Sequence, residues 1–344
     1  MTLKQQVDTH PNTAVRVSAP ARLHLGFLDL NGDSGRKFGS IGLAINSYFT
    51  IIKAQRAGHT SVTGHSASPQ IIQKAEKLLG KFYQTIGKDI AASDQNIAIT
   101  IEQLIPDHSG FGSGTQLALT VGTALCHLHN IKATTAEIAQ QLGRGKRSGI
   151  GIATFELGGF IIDGGNKPNH NTPPPLLAHH PFPSEWRMVL IMDPEQKGVH
   201  GQQEKNAFTT LAQFPLLNSQ AICHLCLMQL LPALVEKDLD QFGDATTKIQ
   251  RLIGDHFAPA QGGRYTSDNV ALVLEQALNL GHTGIAQSSW GPTGVVFVDN
   301  ETTATSLISD LKNYTQSALP AGNKLTFSIA QADKHGAIIE TVGE

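Results

Sequence analysis

Residues 105–119 read IPDHSGFGSGTQLAL. Gly110, Gly112, Ser113 and Gly114 stand between a proline and an apolar helix start. Upstream, NIAITIEQLIP (96–106) alternates as a strand does; downstream, residues 113–129 carry few charges and read as a buried helix. A strand that runs through glycines into a helix aims free backbone N–H groups and the positive helix end at one point. That is an anion site made of backbone. Glycine lets the chain approach the anion and adopt positive φ. Ser113 and Thr115 add hydroxyls, either as donors or as a magnesium contact. The plainer alternative is a tight turn capping a buried helix through Ser113, but the spacing favours phosphate. The Gly-Lys-Ser/Thr ending of a Walker loop is absent, and the dinucleotide fingerprint lacks its opening strand–helix unit.

The rest of the chain sets that loop in a two-domain protein. At 344 residues it exceeds one ordinary core. A net charge of −2 gives no field for nucleic acid. The polar start MTLKQQVDTHPNT lacks a signal core, and no apolar run looks able to cross a bilayer, so a cytoplasmic protein is expected. Three cysteines argue against a disulfide framework. Cys223 and Cys226, at helical spacing, read as two buried thiols rather than a zinc or redox pair.

Strands are expected over 15–20, 22–30, IGLAIN and YFTIIKAQ, and helices over 69–86, 134–142 and 150–157, with a strand at GFIID. The proline-rich stretch NKPNHNTPPPLLAHHPFP is the linker expected between the halves. The division is then 1–167, a linker over 168–184, and 185–344, each half α+β. The second half holds the strand WRMVLIMD, several helices, AQSSWGPTGVVFV, and the closing strands KLTFSIAQ and GAIIETV.

PDHSGFGSGTQLAL resembles the signature loop of the GHMP kinase superfamily, keeping Pro106, Gly110, Gly112 and Ser113 and departing at Gly114 and Thr115. The resemblance implies an N-terminal mixed sheet with helices and a C-terminal ferredoxin-like α/β sandwich. Many of those kinases carry Ser-Gly-x-Asp, whose Asp serves several of them as base. Here the stretch reads Ser148-Gly149-Ile150-Gly151, with glycine in place of the carboxylate. A small-molecule kinase is thus the alternative function, and loss of that base argues against it.

A second resemblance covers most of the chain. ARLHLGFLDLNG, GRKFGSIGLAI, HSGFGSGTQLAL, GRGKRSGIGIATFELGGFIIDGG, GVHGQQE and QSSWGPTGVVF are together similar to the β-ribofuranosylaminobenzene 5′-phosphate synthase family of tetrahydromethanopterin biosynthesis. It implies condensation of 4-aminobenzoate with phosphoribosyl pyrophosphate, with loss of carbon dioxide and pyrophosphate. It also implies magnesium and a homodimer. The substrate needs two anion sites. The glycine loop (Gly110, Gly112, Ser113, Gly114, Thr115) supplies one. Arg144, Lys146 and Arg147, with Ser148 and Gly149 opening a helix, supply the other, unless they form a solvated basic turn.

The catalytic candidates are Arg22, His24, Asp29 and Asn31. His24 is either a group acting on substrate or an ordinary residue on the strand's other face. Arg36 and Lys37 follow in the next loop. Glu156 and Asp163 either bind magnesium or pair with Arg144 and Arg147. His200, Gln202 and Glu204 form a polar cluster or a helix cap. Ser288, Ser289, Gly291 and Thr293 either close the site from the second half or make a turn at Pro292.

Overall fold

The protein is described from a computed structural model covering residues 13–199, 201–320 and 322–343. The first sheet holds β1 (Ala14–Asp29), β2 (Phe38–Arg56), β3 (Ser61–Thr63), β4 (Ile97–Gln103), β5 (Phe160–Asp163) and β6 (Leu176–His180). The second holds β7 (Arg187–Met192), β8 (Ile285–Gln287), β9 (Thr293–Val298) and β10 (Thr326–Ala330); β11 (Ile338–Val342) returns to the first. The helices are α1 (Pro69–Gln84), α2 (Ser113–Leu128), α3 (Thr135–Gln141), α4 (Ile150–Leu157), α5 (Gly201–Thr210), α6 (Leu216–Leu225), α7 (Leu231–Glu236), α8 (Leu239–Gln261), α9 (Asp268–Asn279) and α10 (Glu301–Ala318).

The second sheet runs β10-β7-β9-β8, all antiparallel. Counted from β7 this is the 4-1-3-2 order of a ferredoxin-like sandwich, as expected. The two strands expected over 15–20 and 22–30 are one, β1, whose register on β2 shifts between Pro20 and Ala21. Proline has no N–H for the ladder, so pairing slips there. Helix α2 is buried almost all round, from Gln116 to Leu128, which explains why its sequence carries so few charges. Thr134 opens α3 with a capping box to Glu137.

Several expectations are corrected. The stretch 168–184 is no free linker: Leu176–His180 pairs with β5 and extends the first sheet. The last strand pairs with β1, so the chain's end belongs to the first sheet. The halves also share one core, in which Leu23, Leu43 and Phe160 meet Met188, Phe242 and Phe297. A core common to both halves holds them at a fixed angle, as a linker could not. Cys226 is buried but Cys223 is exposed, its Sγ 3.7 Å from Leu28 O. Finally, among the described residues one continuous helical run, Leu216–Glu236, is long and apolar enough to span a bilayer by length and composition. Its Ile222, Cys226, Leu230 and Leu234 pack in the shared core.

Candidate active site

Three stretches of backbone converge between the halves. Gly112 caps α2 at φ 84° without a side-chain acceptor; Thr115 N–H bonds Gly112 O at 3.0 Å, so the N–H groups of Ser113 and Gly114 are left for a ligand. Gly110, at φ 90°, lies against the 288–291 turn, where an added Cβ would stand 2.1 Å from Ser288 O. Ser288 Oγ donates to Gly110 O at 2.8 Å, and Thr293 Oγ1 to Ser109 O at 2.7 Å. From a third side Val199 N–H donates to Trp290 O at 3.1 Å. The late serine-rich turn therefore closes the site by gripping the glycine loop, and glycines occupy the contacts where a side chain cannot fit.

These stretches enclose a basin of about 430 Å³. Gly110, Gly112, Ser113, Gly114 and Thr115 line it, together with Arg22, Arg144, Glu204 and Ser289. Arg22 donates to Gly110 O, and its Nε lies 3.1 Å from where a Gly112 Cβ would be. A Cβ on Gly114 would meet Lys74 Nζ at 3.4 Å and Arg144 Nη1 at 3.5 Å. Three cations thus surround the loop. Burial lowers the Arg22 pKa to about 10 and lowers Arg144 too, yet both stay charged at neutral pH. Arg144 Nε is buried without a hydrogen-bond partner. Of the three cations, only Lys74 has a carboxylate within 4 Å among the described residues, Asp107 at 3.9 Å. Concentrated, incompletely neutralised positive charge at a helix N-terminus is what a polyphosphate would neutralise.

Lys74 and Asp107 are the residues the sequence reading missed. Asp107 sits inside the quoted loop, and its Oδ1 accepts from Ser113 Oγ at 2.6 Å. Burial pushes its pKa up, but the Ser113 hydroxyl, Lys74 and His108 outweigh burial and hold it below the usual carboxylate range. Ser113 accordingly faces a carboxylate, and its proton is already committed. Lys74 lies on α1, forty residues before the loop's end, and no local pattern marks it.

Other candidates lie elsewhere. Asp29 accepts from Asn31 N, Gly32 N and Ser219 Oγ at 2.8–3.0 Å, so it holds a turn and anchors α6. Asn31 Nδ2 donates to Phe214 O at 2.6 Å. Arg36 bonds Gly164 O and Gly165 O at 2.8 and 2.9 Å, pinning the neighbouring loop. None of these three lines the basin. His24 is buried, and lines a second cavity rather than the basin.

The second anion site is filled from within. Gly149 N–H donates to Asp163 Oδ2 at 2.8 Å, and Ser148 Oγ lies 3.4 Å from the same oxygen. Asp163 therefore caps α4, and neither it nor the exposed Glu156 lines the basin as a magnesium ligand. Lys146 is exposed, while Arg147 pairs with Glu204 at 3.0 Å and lies over the Phe208 ring at 4.7 Å. His200 lies outside the described residues, as does the side chain of Gln202.

Among the described residues no three His, Cys, Asp or Glu side chains gather as a metal cluster. Asp107 and Glu204 do both line the basin. Such hard oxygen donors fit magnesium, which takes one or two carboxylates and completes its shell with substrate phosphate and water.

Residues 71–159 match the GHMP kinases N terminal domain and residues 230–316 the GHMP kinases C terminal. In fold the chain is similar to a homoserine kinase from Cytophaga hutchinsonii, with a TM-score of 0.68, 16% identity, and coverage of 99% of this chain and 100% of that one. A β-ribofuranosylphenol 5′-phosphate synthase from Methanothermobacter thermautotrophicus is 32% identical over 290 residues, 80% of this chain and 86% of the relative. Its counterpart from Archaeoglobus fulgidus is 33% identical over 311 residues, 87% of this chain and 92% of the relative. A kinase fold without the kinase's carboxylate, and likeness to synthases along nearly the whole length, agree: the chain belongs to the β-ribofuranosylphenol 5′-phosphate synthases, a family of enzymes built on the GHMP kinase fold.

Proposed function

We propose that the enzyme transfers the 5-phosphoribosyl group of phosphoribosyl pyrophosphate to the carboxylate-bearing ring carbon of a para-substituted benzoate. The observation that carries this reading is the convergence of Arg22, Lys74 and Arg144 on the glycine loop. The ribose C1–oxygen bond breaks, and its electron pair leaves with the diphosphate. The ring carbon, made electron-rich by the para substituent, bonds to C1. The bond to the carboxylate then breaks, its pair restores the aromatic ring, and carbon dioxide departs. Atoms and electrons balance without a redox partner.

In this reading the α2 N-terminus and Arg22, Lys74 and Arg144 hold the diphosphate, and stabilise its charge more strongly as it leaves. Magnesium, bound by Asp107, Glu204 and substrate phosphate, would add charge neutralisation. Arg147 holds Glu204 in place. The para substituent is amino by the motif resemblance and hydroxyl by the name of the relatives, so the substrate is 4-aminobenzoate or its 4-hydroxy counterpart. A cytoplasmic homodimer serving tetrahydromethanopterin biosynthesis fits the same reading.

The test is release of labelled carbon dioxide from each carboxyl-labelled benzoate, with phosphoribosyl pyrophosphate and magnesium, and with ATP in a parallel reaction. Release that requires phosphoribosyl pyrophosphate and ignores ATP is expected. ATP consumption against a hydroxyl acceptor without release would return the protein to the kinases.

A further inference from the structure

A second cavity lies behind the basin, and Ser289 and Trp290 line both. Its walls include Phe27 of β1 and Ile253 and Phe257 of α8. Trp290 and Phe257 stand 4.3 Å apart, centroid to centroid, and tilted by 53°. At the polar end are the amides of Gln250 and Gln287. Arg264 also lines the cavity, but its guanidinium is engaged by Asp255 at 2.7 and 3.2 Å.

Resting on the synthase reading, we infer that this cavity is the slot for the benzoate ring, which enters with its para substituent first. The reacting ring carbon carries the carboxylate, and the ribose it attacks is tethered by phosphate in the basin. The carboxylate end must therefore face the basin cations, and the opposite end must point inward. What waits there is neutral. Gln250 Oε1 accepts one bond, from Gln287 N at 3.0 Å, and Gln287 Oε1 accepts one, from Thr266 N at 2.6 Å. Each carbonyl oxygen keeps a second lone pair. Gln287 gives its two amide hydrogens to Ser289 O at 2.9 Å and Gln261 Oε1 at 3.3 Å, and Gln250 gives one of its two to Leu25 O at 2.6 Å. The slot thus offers acceptors and suits an amino or hydroxyl hydrogen over a methyl group. The aromatic walls suit a flat ring.

The void measures only about 30 Å³, room for water and short of a ring. The Trp290 backbone is held by Val199 N–H at 3.1 Å, so admitting a ring requires the indole to shift in its packing on Phe257 and on Phe208, whose ring centroid lies 5.8 Å away. Its neighbour Ser289 sits at φ 56°, a left-handed conformation that costs a non-glycine residue energy and marks the turn as strained.

The chain has two tryptophans, so Trp186→Phe leaves Trp290 as the sole indole reporter. In that background, titration with 4-aminobenzoate or 4-hydroxybenzoate, with and without phosphoribosyl pyrophosphate, should give a saturable change in emission. 4-Methylbenzoate should bind at least ~10-fold more weakly, the factor expected when a donor to a buried acceptor is lost. Ile253→Phe, which fills the void, should raise the benzoate KM at least ~10-fold and leave the phosphoribosyl pyrophosphate KM within ~2-fold. Phe257→Leu, which removes one wall, serves if the first variant misfolds, and should shift the same constant the same way. No Trp290 response to either acid, or an unchanged benzoate KM in both folded variants, would overturn the slot while carbon dioxide release kept the synthase reading intact. A saturable response without any carbon dioxide release would support the slot and sink that reading.

Discussion

Thr115 stands where a side chain on Gly151 would begin. A Cβ at Gly151 would lie 2.9 Å from Thr115 Cγ2 and 3.3 Å from its Cβ, and Gln116 Nε2 already donates to Gly151 O at 2.9 Å. Two of the three departures from the kinase pattern, Thr115 in the loop and glycine in place of the carboxylate, therefore meet in space: the threonine crowds the position a Cβ at 151 would take. Gly151→Asp alone should be destabilised by about 1–3 kcal/mol through overpacking. Thr115→Ala with Gly151→Asp should recover most of that loss, a non-additivity visible in urea midpoints. Additive effects would show that the two residues do not compete for space. Neither variant should become an efficient kinase, because the acceptor must also be aligned.

Lys74→Ala and Arg144→Ala each remove one cation beside Gly114. A charge-assisted contact is worth about 1.5–3 kcal/mol, so each should raise the phosphoribosyl pyrophosphate KM by roughly 10- to 100-fold. The benzoate KM should change far less. Raising salt should narrow the gap between wild type and variant, because part of the attraction is screened. Unchanged KM values in both variants would place the diphosphate elsewhere.

How much of this was legible in the sequence follows the range of the physics. Periodicity and caps are local, and they placed the glycine loop, α2, the Thr134-capped α3 and α4 within a few residues. Arg22, Glu204 and Ser289 were also placed in the site, on motif likeness. Lys74 was invisible because its role depends on α1 packing beside the loop, a tertiary fact. The basic loop was legible only in part for a related reason: Arg144 reaches the basin, but Ser148 and Gly149 face Asp163. Its helix end is an anion site by local rules, and only the folded chain shows Asp163 supplying the anion from β5. Asp29 carries no sign of whether it meets substrate or its own turn.

Asp29→Asn tests that last assignment. The carboxylate ties Asn31, Gly32 and Ser219 together. Its loss should cost about 1–2 kcal/mol of stability, since three part-buried donors lose a carboxylate acceptor. Below the melting transition kcat should stay within about 3-fold of wild type, because the group touches nothing in the basin. A large fall in kcat with an unchanged melting temperature would make Asp29 catalytic after all.

Asp163 should make stability depend on pH in an unusual direction. Burial raises its pKa to about 6, despite opposing hydrogen bonds from Gly165 and Gly149 N–H, against 3.8 for the ordinary group. The folded chain therefore holds this proton more tightly than the unfolded chain. Its stabilising contribution is full below pH 3.8 and is lost as pH rises through about 6. The span corresponds to roughly 3 kcal/mol, at 1.36 kcal/mol for each pH unit. Other carboxylates, Asp107 among them, shift the opposite way, so the comparison must be with a variant lacking this titration. In Asp163→Asn the drop in urea midpoint between pH 5 and pH 7 should be smaller than in wild type, although the variant is less stable at both. Parallel midpoints for the two proteins across that range would mean that Asp163 is charged throughout, the Gly149 and Gly165 N–H groups and the Ser148 hydroxyl outweighing burial.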